Sequence, residues 1–274
     1  MFPLRCSVRG CEQPLHSSPP CLRCPSGHSF DIAREGYFNL TQPQDRRSKN
    51  PGDSDDAVLA RQRWVDRGHM QGFIDELANL LQQADLGSDQ ATTIDLGCGE
   101  GSFGKALFSE TPQQFCGIDL SKRAIRLASR NWPQANWTLA NADRTLPIID
   151  QSVQRVMSLF GRRPISEIDR VLDAEGICVV AVPGEEDLIE LREQTQLTGE
   201  RRSRWEAIAD EFHNANLNLA EHRRWTHRVE LDRSEITDAL AMTYRAVRHS
   251  QQARLQDVDA MHVTLQADIL LLRR

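Results

Sequence analysis

The stretch that most limits the fold is "TTIDLGCGEGSFG", residues 92–104. A short apolar strand, Ala91 to Leu96, runs into Asp95-Leu96-Gly97-Cys98-Gly99-Glu100-Gly101, and helical sequence follows from about Ser102. Gly97, Gly99 and Gly101 permit a tight turn and let a ligand approach the backbone closely. Glycines alone say little. A strand before them and a helix after them give the context of a nucleotide-binding turn. The next strand, "QFCGIDLS", ends in Asp119, 24 residues beyond Asp95. An acidic residue at the tip of that strand accepts hydrogen bonds from the ribose hydroxyls of a bound adenosine. A third strand, "NWTLANADRTLPI", ends near Asn141-Ala142-Asp143, where a carboxylate is expected to meet the amino group of the adenine.

Strands and helices alternate from there on. The pattern predicts strands at 91–96, 114–119, 136–140, 153–159 and 176–182, and helices at 102–110, 121–130, 164–172 and 185–197. That is the signature of an α/β domain with a mainly parallel sheet covered by helices on both faces. "RSEITDALAMTY" reads as a further helix and "MHVTLQADILLLRR" as a closing strand, while residues 199–231 are polar and ambiguous. Ahead of the sheet, residues 54–84 read as helix with a break near Gly68 and a cap at Ser54. "FDIAREGYFNLTQPQDRRSKNPGDSDD" reads as a largely irregular linker. The expected organisation is a zinc-binding module at 1–40, a linker with helices at 41–85 and a catalytic domain at 86–274.

The module rests on crowded soft ligands. Four of the seven cysteines and two of the eight histidines fall within residues 6–30. Cys6 and Cys11 form C-x4-C, Cys21 and Cys24 form C-x2-C, and Cys24 and His28 form C-x3-H. Two short-spaced pairs separated by about a dozen residues suit a closed tetrahedral zinc site. Such a site can fold a segment too small to have its own core. By spacing alone, the set is either Cys6, Cys11, Cys21 and Cys24, or Cys6, Cys11, Cys24 and His28.

Composition excludes several classes. Hydrophobic content of 39% marks a globular chain. No apolar run approaches the roughly 18 residues of a membrane span. "MFPLRCSVRGC" lacks the apolar stretch of a signal peptide. A cytoplasmic protein with reduced thiols is therefore expected. Net charge is −6, so any nucleic-acid surface must be a local patch. Residues 1–70 hold ten Lys or Arg against eight Asp or Glu, which leaves −8 for the rest. The more basic part thus lies beside the cysteines, with Arg46, Arg47 and Lys49 in "DRRSKN", Arg61 and Arg63 in "ARQRW", and Arg201, Arg202 and Arg204 further on.

The D-x-G-x-G-x-G form resembles the first motif of S-adenosylmethionine-dependent methyltransferases rather than a dinucleotide fingerprint. The chain as a whole resembles the bacterial 23S ribosomal RNA guanine-N1 methyltransferases, a zinc-containing family with a class I, Rossmann-like catalytic domain. The matching pieces are "CPSGHSFDIAREGYFNL", "RRSKNPGDS", "RGHMQGF", "IDLGCGEG", "VPGEEDLIEL" and "LAMT", in that order. The resemblance implies two cofactors, S-adenosylmethionine and zinc, and settles the zinc ligands as Cys6, Cys11, Cys24 and His28. It places Gly99, Glu100, Met70 and Asp187 at the cofactor, beside Asp95, Gly97, Gly101, Asp119 and Asp143 from the strand–turn reading. Met70 and Asp187 stand where relatives can carry tyrosine and histidine. The family's first cysteine pair is commonly C-x2-C. After the fourth strand, relatives have an apolar-Pro stretch, whereas this chain has "SLFGRRPIS". Arg162 and Arg163 are thus expected near the target base, with Tyr37 and the module's basic residues gripping an RNA hairpin. The resemblance also implies a homodimer. Two rival readings are a methyltransferase acting on another RNA or a small molecule, and a non-enzymatic zinc RNA-binding protein.

Overall fold

A computed structural model describes residues 2–43, 45, 52–84, 91–195, 203–243 and 258–274. Near the N-terminus, β1 (His16–Ser18), β2 (Cys21–Arg23) and β3 (Ser29–Asp31) form a small antiparallel sheet. β4 (Phe38–Asn39) then leaves that sheet and joins the main one. Helices α1 (Asp55–Asp66) and α2 (Gln71–Gln83) follow. The Ser54 hydroxyl caps α1 by accepting from the Ala57 amide at 3.2 Å, and Gly68, at φ +83°, makes the break between them.

The alternating region runs β5 (Thr93–Leu96), α3 (Ser102–Phe108), β6 (Phe115–Asp119), α4 (Lys122–Asn131), β7 (Asn136–Leu139), β8 (Val153–Leu159), α5 (Ile165–Val171), β9 (Leu172–Pro183) and α6 (Ile189–Thr195). The chain closes with α7 (Trp205–His213), β10 (Asn218–Asp232), α8 (Arg233–Thr243) and β11 (Ala260–Arg273). The eight strands of the main sheet stand in the order β10-β11-β9-β8-β5-β6-β7-β4. Pairing is parallel from β4 through β9 and antiparallel at β9–β11 and β11–β10. The order reverses beside β5, so the crevice at the carboxyl ends of β5 and its neighbours is where a ligand binds in such sheets.

Successive residues of β9 serve opposite faces. Ile177, Val179 and Ala181 join one apolar core, while Cys178, Val180 and Val182 join the other. The first core takes side chains from α1, α2, α4 and α8. The second takes Ile168 and Val171 of α5, Ile208 and Phe212 of α7, and also Leu4, Leu15, Leu22, Phe30 and Leu40. The cysteine-rich segment therefore covers part of one sheet face, against Ile94, Leu96, Cys116 and Ile118.

Backbone bonds stitch it down. Arg5 donates its amide to the Pro147 carbonyl at 2.9 Å, Ile149 donates to Pro3 at 3.0 Å, and Leu40 donates to Leu139 at 3.0 Å. "FDIAREGYFNL" is thus not linker. It holds the end of β3 and all of β4, whose Phe38 and Asn39 pair with Thr138 and Leu139. Tyr37 is buried in the first core, so it cannot grip RNA. Among the described residues no helix is long and apolar enough to cross a membrane.

Candidate active site and metal centre

The turn after β5 is built as its glycines require. Gly97, Gly99 and Gly101 have φ of +72°, +58° and +83°. The Gly97 and Cys98 amides both donate to the Ile118 carbonyl, at 2.8 and 3.2 Å, which ties the turn to β6. Asp119, at the end of β6, accepts from the Gly99 amide through Oδ2 at 3.0 Å and from the Ser121 amide through Oδ1 at 2.7 Å. Each carboxylate oxygen keeps lone-pair capacity for a ligand.

Two further carboxylates are almost closed to solvent, Asp95 at 2% exposure and Glu100 at 3%. Asp95 Oδ1 and Glu100 Oε2 are buried with no hydrogen-bond partner. Burial, reinforced by the charges of Asp119 and Glu100, pushes Asp95 up to about 8. Burial also raises Glu100 and Asp119. Three carboxyl groups are thus gathered at one turn, two of them with a buried oxygen that has no partner. S-adenosylmethionine, which carries an ammonium and a sulfonium, fits that donor set. Arg61 of α1 supplies the opposite charge. Its Nη1 would lie 3.3 Å from a Cβ on Gly99, and its Nη2 donates to Asp53 at 3.0 Å.

Beside this turn opens a cavity of about 410 Å³, within the usual range of small-ligand sites, roughly 300–1,000 Å³. Arg61 and Trp64 of α1, Met70, Phe103 of α3, Phe160 after β8, Asp187 after β9, and Trp225 and Gln266 of β10 and β11 stand on its wall. Arg61 links the cavity to the glycine turn, since the same side chain lies 3.3 Å from a Cβ built on Gly99. Met70 and Asp187 are therefore both on the cavity. Sequence reasoning missed its aromatic residues, because they come singly from α1, α3, β8 and β10.

Arg162 and Arg163 lie at the same end of β8. Arg162 is 80% exposed and its Nε stands 3.4 Å from Asp143 Oδ2. Arg163 donates through Nη1 to the Gly161 carbonyl at 3.3 Å, its Nε is buried without a partner, and burial lowers its pKa. Arg46, Arg47 and Lys49 lie outside the described residues, as do Arg201 and Arg202.

At the other end of the chain, the Sγ atoms of Cys6, Cys11 and Cys24 and a ring nitrogen of His28 all lie within 4.8 Å of one another. Cys6 and Cys24 Sγ are 3.5 and 3.4 Å from His28 Nδ1, and Cys11 and Cys24 Sγ are 3.8 Å apart. A zinc tetrahedron with ordinary Zn–S and Zn–N bonds has edges of about 3.8 Å between sulfurs and about 3.5 Å between sulfur and nitrogen. The four ligands fit it. Gly10, at φ +77°, lies in the Cys6–Cys11 loop, and Gly27, at φ +84°, in the Cys24–His28 loop. Cys21 is outside the group. Its Sγ bonds the Ser18 carbonyl at 3.1 Å and accepts from Arg23 Nε at 3.3 Å.

Residues 4–49 match the family model described as "RlmA, N-terminal", a zinc ribbon, and residues 94–176 match the "Methyltransferase domain" model. The chain is 32% identical over 271 residues to a Micromonospora griseorubida protein described as "Putative 23S rRNA (guanine-N(1)-)-methyltransferase", covering 92% of this chain and 89% of that one. It is 34% identical over 189 residues to the "23S rRNA (guanine(748)-N(1))-methyltransferase" of Streptomyces fradiae, covering 69% and 66%. The crystal structure of the Bacillus subtilis YcgJ protein shares the fold, with a TM-score of 0.53 at 15% identity, covering 72% of this chain and 97% of that one. A glycine turn shaped for a cationic cofactor, a four-ligand zinc geometry and this relationship along nearly the whole length agree: the chain belongs to the 23S rRNA (guanine-N(1))-methyltransferase family.

Proposed function

We propose that the protein transfers a methyl group from S-adenosylmethionine to N1 of a guanine in 23S ribosomal RNA. The observation that carries the reading is the pair of buried, unpartnered carboxylate oxygens of Asp95 and Glu100 on a glycine turn. In this reading Gly97, Gly99 and Gly101 leave room for the amino-acid end of the cofactor, and Asp95 and Glu100 face its cationic groups. Asp119 takes the ribose and Asp143 the adenine. Met70 and Asp187 border the transferable group, and Arg61 suits the cofactor's carboxylate. When bound, the cofactor supplies an electrophilic methyl group, so the protein's task is to align the nucleophile and exclude water.

Guanine N1 lies on the pairing edge, so the base must be unpaired or turned out of its stack. A loop of an RNA hairpin meets that need. Arg162 and Arg163 just past β8, with Arg46, Arg47 and Lys49, would hold its phosphates. Cys6, Cys11, Cys24 and His28 would hold a structural zinc, which the reduced cytoplasm favours. The homodimer implied by the family resemblance is checked by the mass in solution.

The test is methylation of unmodified 23S ribosomal RNA by purified protein, read by reverse transcription. A methyl on N1 blocks pairing, so one new stop at a guanine is expected. A protein that binds the cofactor but gives no stop acts on another substrate.

The carboxylates yield a second expectation. A carboxyl group raised in the fold favours the folded state at low pH and loses that contribution as pH rises. For Asp95 the window runs from its ordinary range, about 4, to about 8. A bound cation lowers that pKa, so cofactor binding near pH 7 expels protons and tightens as pH rises through the window. Calorimetry in two buffers of different ionisation enthalpy measures the proton count. Uptake, or no exchange at all, would mean that Asp95 does not face a cation of the cofactor.

A further inference from the structure

We infer that the cavity beside the glycine turn receives an everted guanine base, and that the Asp187 carboxylate takes the proton from its N1. The inference rests on the guanine-N1 reading above and adds a base pocket and an acceptor to it. Phe160 directly follows β8, is 39% exposed and has φ +58°. A bulky side chain in left-handed backbone is an outlier of the kind that gathers at functional sites. Leu188, beside Asp187 on the same wall, has φ +50°. Two left-handed residues therefore flank one cavity.

The Phe160 ring is 5.2 Å from Phe73 and 6.3 Å from Phe103, and Trp225 is 5.8 Å from Phe73. Phe160 is thus braced from behind, while much of its surface stays open. An aromatic face of this kind is what an unstacked base needs.

Asp187 supplies the edge contact. Its Oδ1 accepts from the Gln266 amide at 3.0 Å, which fixes the carboxylate. Its Oδ2 has no hydrogen-bond partner among the described residues. An ionised carboxylate only accepts. Guanine presents N1–H and N2–H donors together, whereas adenine presents a lone pair at N1. The carboxylate therefore accepts guanine and rejects adenine. The nucleophilic atom must lie in line with the transferable methyl, so the reading that sets Asp187 beside that methyl also sets it near N1.

The step balances. The N1–H bond breaks and its proton passes to Asp187. The freed pair on N1 forms the new nitrogen–carbon bond, and the pair of the breaking carbon–sulfur bond leaves with sulfur. Burial pushes Asp187 up to about 6, with Glu190 raising it and the Gln266 amide and Arg192 lowering it. Arg61 and Arg204 are the other charged groups on the cavity wall. An acceptor in that range is ionised at neutral pH and still basic enough to hold a proton.

The experiment compares wild type with Asp187→Asn and Asp187→Glu on 23S ribosomal RNA, at saturating cofactor, from pH 5 to 9. Wild-type kcat should fall as pH drops through about 6. Asp187→Asn should lose about 10²- to 10⁴-fold in kcat, lack that acid limb, and keep rising with pH as the base ionises unaided. Because Asp187 also borders the cofactor in this reading, cofactor affinity is measured by calorimetry and each rate is taken at saturating cofactor, so that the loss in kcat is read apart from binding. Asp187→Glu should recover part of the rate. Phe160→Ala should weaken binding of a guanine-bearing RNA hairpin to the cofactor-free protein, read by Trp fluorescence. A persistent acid limb in Asp187→Asn, or a loss confined to cofactor affinity, would overturn the proposal alone. Absence of any guanine-N1 product from wild type would overturn the parent reading and this one with it.

Discussion

Cys24→Ser should strip the metal and lower stability by about 4 kcal/mol, a fall of roughly 8–16 °C in Tm for a chain of this size. The size follows from what the metal centre supports. Cys24 is buried, and its thiol lies in contact distance of both the Cys11 thiol and the His28 ring. Losing one of four ligands leaves the other three without the charge that holds them together. The damage does not stop at the small sheet, because Leu4, Leu15, Leu22 and Phe30 form part of the second core, against Ile94 and Ile118. Loosening the segment exposes apolar surface on the main sheet. Cys21→Ala is the control. That thiol meets Ser18, Arg23 and Ser29 and none of the four clustered ligands, so its loss should cost about 1 kcal/mol and leave metal content unchanged. Thermal unfolding with and without chelator, beside a metal assay, separates the two. A Cys24→Ser protein with full metal content and unchanged Tm would refute the four-ligand assignment.

The parts legible in the sequence are those whose physics is local. The glycine turn announces itself because a left-handed backbone needs glycine there. Ser54 and Gly68 mark helix ends for similar reasons, and α1 and α2 fall where those residues put them. The tight loops of the cysteine-rich segment are legible too, but spacing alone leaves Cys21 and His28 as alternatives, and only the fold brings Cys6, Cys11, Cys24 and His28 together. Elsewhere the decisive contacts are distant. β4 is two residues long and owes its existence to β7, 100 residues away in sequence. β10, "NLAEHRRWTHRVELD", pairs with β11 on one edge only. As an edge strand with much of its length exposed, it lacks the apolar alternation by which a strand is read. The polar stretch around it also hides α7, which needs only Ile208 and Phe212 to seat it. Tyr37 looks like a surface aromatic in its polar segment and is core because β4 turns it inward. The cavity is the extreme case. Trp64, Phe160, Asp187 and Trp225 meet only because β8, β9, β10 and β11 end or pass beside α1.

Gly101→Ala should be the most damaging single change in the turn, at about 2–5 kcal/mol. A left-handed residue with a side chain costs roughly 1–2 kcal/mol, and Gly101 sits at φ +83°. Overpacking adds about 1–3 kcal/mol. A Cβ at this position would lie 2.3 Å from Cη2 of Trp137. That ring cannot move aside. It is fully buried, its Nε1 donates to the Trp132 carbonyl at 2.9 Å, and Phe115 and Trp132 pack against it at 5.7 and 5.9 Å. The strain must instead shift the turn, and with it Glu100 and the start of α3. Cofactor affinity should therefore fall at least about tenfold, together with stability. Gly68→Ala isolates the backbone part. It has the same φ of +83° but nothing within 4 Å of its Cβ position, so about 1–2 kcal/mol is expected and no loss of cofactor binding. Gly99→Ala falls between them, since its Cβ meets only the end of the Arg61 arm at 3.3 Å, which can swing. Denaturant unfolding and cofactor calorimetry on the three variants give the ranking. Equal losses at Gly68 and Gly101 would mean that Trp137 does not brace the turn. The cofactor site would then depend on backbone conformation alone.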